Sequence, residues 1–132
     1  MSLVIDACLL AEALLGSPRG QRAQDLTRGH TVHVPQLAHL EVVSVLRGLV
    51  RGGRVSAERA DQALQDLRVF PARSWPHEAL LGRVWELRHN LTAYDAAYVA
   101  LAELVGATLV TGDARLVTAV RAHASCPVIE VV

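Results

Sequence analysis

Residues 90–113 constrain the fold most, because they predict a helix, a turn and a buried strand in immediate succession. Thr92 stands just before an apolar run with helical periodicity and predicts the N-cap of that helix. Gly106 suits the position after the last helical turn, where a positive φ is least costly for glycine. Residues 107–111 are then a short apolar run, which is typical of a strand buried in a sheet.

A carboxylate lies near each end of this segment. Asp95 follows Thr92 at the three-residue spacing of a capping box, and Asp113 comes soon after the predicted strand. Taken singly, each acid is explained by the start of a helix, where the helix dipole favours a negative charge. A metal-binding or catalytic role requires other acids to converge on them.

The rest of the chain also alternates short apolar runs with helical segments. The predicted strands span residues 3–5, 31–34, 69–72, 107–111 and 128–131. The predicted helices span residues 7–15, 19–28, 36–51, 57–67, 75–89, 93–105 and 114–123, with Ser74 as the expected cap of the fifth. Strands that alternate with helices indicate βαβ units, a parallel sheet and helices on both of its faces.

Composition indicates one globular domain. The 132 residues are 52% apolar and 20% charged, with 13 basic and 13 acidic side chains and no net charge. All basic residues are arginine, which suits phosphate contacts but equally reflects a bias towards GC-rich codons. No segment resembles a secretory signal or a membrane span. Cys8 and Cys126 form no zinc or redox motif, so we expect reduced thiols, no membrane association and a cytoplasmic location.

Asp113 and two further acids, Asp6 and Glu41, carry the functional argument. Asp6 and Asp113 each come at the end of a predicted strand, and parallel strands place their ligands beyond their carboxyl ends. These two acids therefore meet if their strands are neighbours. Glu41 interrupts an otherwise apolar helix, and a buried glutamate needs a partner or a metal. A salt bridge from Glu41 to Arg47 or Arg51 is the alternative explanation.

Together with Asp95, these acids resemble the pattern of the PIN-domain nucleases, and most closely that of the VapC-type toxins of bacterial toxin–antitoxin pairs. The matching stretches are VIDACLLAEALL, LEVVSVLRGLV and WELRHNLTAYDAAYVALAELVGATLVTGDARL. The resemblance covers nearly the whole chain and implies one PIN-like nuclease domain over residues 1–132. The fold that it implies is a three-layer α/β/α sandwich with a central parallel sheet.

The resemblance also implies a site and its chemistry. Asp6, Glu41, Asp95 and Asp113 are expected to bind Mg²⁺ or Mn²⁺ and to hydrolyse RNA phosphodiester bonds with a metal-activated water. Four carboxylates in one pocket repel each other, and a hard divalent cation with oxygen ligands relieves that repulsion. No serine, cysteine or histidine nucleophile is then needed.

The implied partners are an RNA substrate, a cognate VapB-type antitoxin and a second copy of the chain in a homodimer. The N-terminal helices offer a surface for docking, because they carry more apolar side chains than one buried face requires. These side chains are Leu9, Leu10, Leu14, Leu15, Val45, Leu46, Leu49 and Val50. The alternative is that these helices are buried on both sides in the core.

Several neighbouring side chains have two explanations each. Cys8 stands where many PIN nucleases have serine or threonine; it either favours Mn²⁺ as a softer ligand or, as we expect, fills a small buried space. Thr111 is either a hydroxyl that supports the metal ligands or an ordinary strand-end threonine. Tyr94 and Tyr98 either stack against RNA bases or, as we expect, pack in the core or on the surface. The remaining candidates either contact RNA phosphates or, as we expect, lie on solvated faces: Arg19, Arg22, Arg47, Arg51 and Arg54.

Other classes that gather acids at the end of a parallel sheet are disfavoured. Phospho-receiver domains and haloacid-dehalogenase phosphatases need a lysine, which this chain lacks, and the phosphatases also need an aspartate where Cys8 stands. A P-loop is excluded because no GxxxxGK occurs. Two alternatives to a toxin stay open: a catalytically inactive PIN-like binding module, and a PIN nuclease of RNA processing outside a toxin–antitoxin pair.

Overall fold

The computed structural model describes the whole chain, Met1–Val132. Its strands are β1 (Ser2–Ile5), β2 (Thr31–Pro35), β3 (Ala72–Trp75), β4 (Thr108–Thr111) and β5 (Val128–Glu130). Its α-helices are α1 (Ala7–Leu15), α2 (Pro18–Thr27), α3 (Leu37–Arg51), α4 (Ala57–Val69), α5 (Leu81–Glu86), α6 (Ala93–Val105) and α7 (Ala114–His123). A 3₁₀ turn, Glu78–Leu80, precedes α5. None of the helices has both the length and the apolar character needed to cross a membrane.

All five strands are parallel and form one sheet in the order β3-β2-β1-β4-β5. In the central strand β1, Leu3, Val4 and Ile5 are all buried, although successive side chains point to opposite faces. Both faces of the sheet are therefore covered, as is usual for a parallel sheet. This confirms the expected α/β fold with a central parallel sheet and helices on its two sides.

Helix α6 packs against β1, β2 and β4, and every residue from Ala96 to Ala102 is buried. Its small alanine side chains allow the helix to come close to the strands. The Thr92 hydroxyl accepts the Asp95 N–H at 3.1 Å, and Gly106 has a φ of 67° at the other end. Both predicted ends of this helix are therefore confirmed.

The segment around β3 differs from the prediction of a strand at residues 69–72 and a long helix capped by Ser74. Helix α4 continues to Val69, and Ser74 lies inside β3, so both of those predictions are wrong. β3 is an edge strand that pairs only with β2, and its sequence ARSW lacks the apolar alternation that marks a strand. Tertiary contacts define it instead, including a 3.0 Å hydrogen bond from Trp75 Nε1 to His33 Nδ1.

The centre of the sheet places the ends of β1 and β4 side by side. Ile5 lies opposite Val110 in the register of these two strands. The Asp6 N–H donates to the Val110 carbonyl at 3.2 Å, just beyond the end of β1. The two strands expected to meet are therefore neighbours, and the residues that follow them share one edge of the sheet.

Candidate active site

A cavity of about 380 Å³ opens at the carboxyl end of the sheet. Four elements each bring one carboxylate to its wall. Asp6 caps α1, Glu41 lies in the second turn of α3, Asp95 lies in the first turn of α6, and Asp113 caps α7. The four acids singled out from the sequence thus line the same cavity.

Asp6 is buried and is held by two hydrogen bonds. Its Oδ1 accepts the Leu9 N–H at 3.0 Å, and its Oδ2 accepts the hydroxyl of Thr111. The Thr111 oxygen also accepts the Asp113 N–H at 3.0 Å, so one hydroxyl links the ends of β1 and β4. Burial raises the pKa of Asp6, and the negative charges of Asp113 and Asp95 raise it further, against the lowering effect of the hydrogen bonds.

Asp113 and Asp95 both belong to the starts of helices, and both also face the cavity. Asp113 Oδ1 accepts the N–H groups of Arg115 at 2.9 Å and Leu116 at 3.4 Å, whereas its Oδ2 makes no hydrogen bond. Burial raises the pKa of Asp95, as does the negative charge of Asp113, while the Thr92 hydroxyl lowers it. Helix capping and a place in the cavity wall are therefore compatible roles.

Glu41 reaches the cavity from the middle of an apolar stretch of α3. It forms no salt bridge with Arg47 or Arg51, so that alternative explanation is wrong. Its Oε1 instead accepts the hydroxyl of Tyr98 on α6 at 2.6 Å. Burial and the negative charge of Asp95 raise the pKa of Glu41, whereas the bond from Tyr98 lowers it.

The donor set fits a hard divalent cation. Four carboxylates supply oxygen ligands, and burial and mutual repulsion raise the pKa of three of them, Asp6, Glu41 and Asp95. The side chains themselves do not gather into a group of three or more that encloses one point. Asp6 and Glu41 are held by separate partners, Thr111 and Tyr98. Enclosing an ion therefore requires the carboxylates to come closer together, and Glu41 Oε2 and Asp113 Oδ2 are still free of protein partners.

The comparison with known sequences identifies the family. Residues 3–121 match the sequence profile of the PIN domain. This chain belongs to the PIN-domain family. Among its relatives, ribonuclease VapC9 of Mycobacterium tuberculosis is 41% identical over 126 residues, which cover 96% of this chain and 95% of the relative. Ribonuclease VapC12 of the same species is 35% identical over 114 residues, covering 86% and 88%. The chain is therefore a member of the VapC ribonuclease family.

Solved structures share the PIN fold over nearly the whole chain. PAE2754 from Pyrobaculum aerophilum superposes with a TM-score of 0.67 at 24% identity, covering 97% of this chain and 83% of that one. VapBC2 from Rickettsia felis, solved bound to a DNA fragment from its promoter, gives a TM-score of 0.66 at 12% identity, covering 98% of both chains. At these identities the likeness establishes the fold alone.

Cys8 differs from its expected role as a buried filler. It is exposed and lies in the cavity wall of this PIN domain, because α1 turns its first exposed position towards the acids. Partial desolvation raises the pKa of the thiol, and the negative charges of Asp6 and Glu41 raise it further. In the metal-free chain, these effects favour the neutral thiol over the thiolate.

Arg19 lies in the cavity wall, although we expected it on a solvated face. Its guanidinium forms a 2.6 Å ion pair with Glu12 and donates to the Gly112 carbonyl at 3.1 Å. A Cβ at Gly112 would lie 2.8 Å from the guanidinium carbon, so the glycine makes room for it. No local sequence pattern predicts this contact, because Arg19 and Gly112 are 93 residues apart.

Tyr98 is the second cavity residue whose role was missed. Its expected packing is correct in one respect, because the ring is buried. Its three-residue distance from Asp95 on a helix was a usable signal, since such positions share a face. The hydroxyl's partner on α3 had no signal in the sequence.

Proposed function

We propose that this chain is the toxin of a toxin–antitoxin pair, a cytoplasmic endoribonuclease whose residues 1–132 act as one nuclease domain. The observation that carries the proposal is the convergence of four carboxylates from four elements on one cavity. Two further findings support it: the chain belongs to the PIN-domain family, and a ribonuclease relative is 41% identical to it. The substrate class is RNA, and the reaction is hydrolysis of a phosphodiester bond.

We assign Asp6, Glu41, Asp95 and Asp113 as the residues that hold Mg²⁺ or Mn²⁺. A divalent ion there supplies activation of water and stabilisation of negative charge on phosphate oxygens. The chain's own contribution is to fix the ligands. Asp6 is held from two sides, and Asp113 is held through Oδ1 with its Oδ2 free.

The cavity also offers positive potential for an RNA backbone. Helices α1, α6 and α7 all begin at its wall, so their dipoles and N-terminal N–H groups favour a phosphate nearby. Arg19 lies in the same wall, and its ion pair with Glu12 leaves guanidinium N–H groups without a protein partner. These features balance part of the negative charge that would otherwise repel RNA.

The antitoxin surface that we propose is smaller than the apolar excess predicted from the sequence. Leu9, Leu10 and Leu46 are buried, so these three belong to the core. A groove of about 340 Å³ remains between α3 and α4. Its accessible wall includes Val43, Arg47, Val50, Arg51 and Leu64. A toxin–antitoxin complex solved from Klebsiella pneumoniae contains a chain of similar fold, which supports a protein partner here.

A second exposed apolar surface supports the proposed homodimer. It consists of side chains from α3 and α5, and we call it the α3–α5 surface. Its members are Leu37, Leu40, Leu81 and Trp85. Leu40, Leu81 and Trp85 are exposed, which is unfavourable for an isolated protein and indicates an interaction surface.

The decisive experiment is cleavage of total RNA by the purified chain with Mg²⁺, with Mn²⁺ and with EDTA. We expect metal-dependent cleavage that falls about 100-fold or more in Asp6→Asn, because a ligand is lost. Asp25→Asn is the matched control, since Asp25 is an exposed residue paired only with Arg28. A properly folded chain without metal-dependent cleavage would establish the inactive binding module instead.

The toxin assignment has its own test. We expect expression of the chain to stop growth of a bacterial host and co-expression of the product of a small neighbouring gene to restore it. Cleavage in vitro without growth arrest, and without a neighbouring partner, would favour a nuclease of RNA processing.

A further inference from the structure

The Tyr98 hydroxyl is the only hydrogen-bond donor that holds Glu41. Tyr98 Oη lies 2.6 Å from Glu41 Oε1 and joins α6 to α3 between residues 57 apart in sequence. Tyr98 is 2% exposed, so its hydroxyl has little access to water, and Glu41 is its one hydrogen-bond partner in the protein. Glu41 Oε2 makes no hydrogen bond or ion pair within the protein.

Glu41 needs such support more than the other acids do. Asp6 and Asp113 have short side chains, and backbone N–H groups of their own helices hold them. Glu41 has a longer side chain with more rotatable bonds and stands inside a helix, where no backbone donor is free. An unsupported glutamate loses more side-chain entropy when it is ordered around an ion.

We propose that Tyr98 is a positioning residue, whose buried hydroxyl fixes one oxygen of Glu41 and leaves the other for the divalent cation. This inference rests on the proposed function, because it assumes that Glu41 is a ligand. Partners that orient ligating carboxylates act in this way in other metal sites. Asp95 and Tyr98 then form a functional pair on one face of α6, with one as ligand and the other acting through Glu41.

Tyr94 provides a matched control on the same helix. It is 64% exposed, and its hydroxyl makes no hydrogen bond within the protein. Tyr94→Phe and Tyr98→Phe remove the same atom, and both leave the aromatic ring in place. They differ in whether Glu41 loses its donor.

The test is isothermal titration of the metal-free protein with Mn²⁺ in wild type, Tyr98→Phe, Tyr94→Phe, Glu41→Ala and the double variant Glu41→Ala/Tyr98→Phe. We expect Tyr98→Phe to weaken Mn²⁺ binding about 10-fold, the lower end for loss of a partner that orients a ligand. Tyr94→Phe is expected to stay within about two-fold of wild type, because no ligand contact changes. In the Glu41→Ala background, Tyr98→Phe is expected to add no further loss, since the cycle isolates the coupling.

Three outcomes overturn the inference. An unchanged affinity in Tyr98→Phe shows that Glu41 is positioned without it. The same loss with and without Glu41 shows that Tyr98 acts through general packing, and far-ultraviolet circular dichroism then shows whether the fold has changed. Absence of Mn²⁺ binding in wild type overturns the assigned metal site itself, which is a failure of the proposed function and is recognisable as such.

Discussion

At the scale of single residues, Asp6 caps a helix and also adds a negative charge to a crowded cavity. Asparagine caps about as well as aspartate, so Asp6→Asn keeps the first role and removes the charge. We expect metal-free Asp6→Asn to be at least as stable as wild type, to within about 0.5 kcal/mol. The stabilisation that Mn²⁺ gives to wild type is expected to shrink, because binding is weaker. Thermal melts in EDTA and in Mn²⁺ measure both effects, and a full metal-induced shift in every single mutant of the four acids would contradict the shared site.

The raised pKa values also predict how stability depends on pH. Burial raises the pKa values of Asp6, Glu41 and Asp95, so the folded metal-free chain binds more protons than the unfolded chain in the window above the unfolded values of about 4. The contribution of these three carboxyl groups to the free energy of unfolding is fully present below pH values of about 4. It is lost as the pH rises through the pKa values that the groups have in the folded chain. We expect urea midpoints in EDTA to fall from pH 5 to pH 7, and to fall less steeply in Asp6→Asn. Equal slopes in the two proteins would show that Asp6 does not contribute.

At the scale of elements, two glycines in helices have opposite surroundings. In α2, a Cβ at Gly20 would lie 1.9 Å from the Glu12 carbonyl oxygen of α1, so the two helices could not remain as close. In α3, a Cβ at Gly48 would meet nothing within 4 Å. We expect Gly20→Ala to destabilise the fold by about 1–3 kcal/mol, as overpacking does. Gly48→Ala is expected to stabilise it by roughly 0.5–1 kcal/mol, because alanine favours the helix. Urea denaturation of both variants checks the contrast, which a similar effect of the two substitutions would refute.

At the scale of the whole molecule, the α3–α5 surface predicts self-association. Leu40 is 76% exposed on this surface, whereas Val69, 80% exposed, lies at the end of α4 outside it. We expect wild type to sediment as a dimer and Leu40→Glu as a monomer, because a charge in an apolar interface is strongly unfavourable. Val69→Glu introduces the same charge elsewhere and is expected to stay dimeric. A wild-type monomer at all concentrations, or dissociation by both substitutions alike, would argue against this interface.

The sequence by itself determined the features that arise from neighbouring residues. Helix α7 spans Ala114–His123 as predicted, and Thr92 and Gly106 bound α6, because caps and apolar periodicity act within a few residues. The placement of Asp6 and Asp113 followed in the same way, since both come at the ends of buried strands. The parallel sheet followed from the alternation of strands and helices.

The tertiary structure alone decided which distant groups touch. The edge strand β3 exists because β2 pairs with it, although its own sequence carries little strand signal. The partner of Glu41 is Tyr98 and not an arginine of its own helix, and Arg19 reaches Gly112 across the fold. These contacts depend on strand order and helix packing, which bring together residues far apart in the chain. A local sequence pattern does not predict these contacts, because the interactions that produce such a pattern extend over only one or two helical turns.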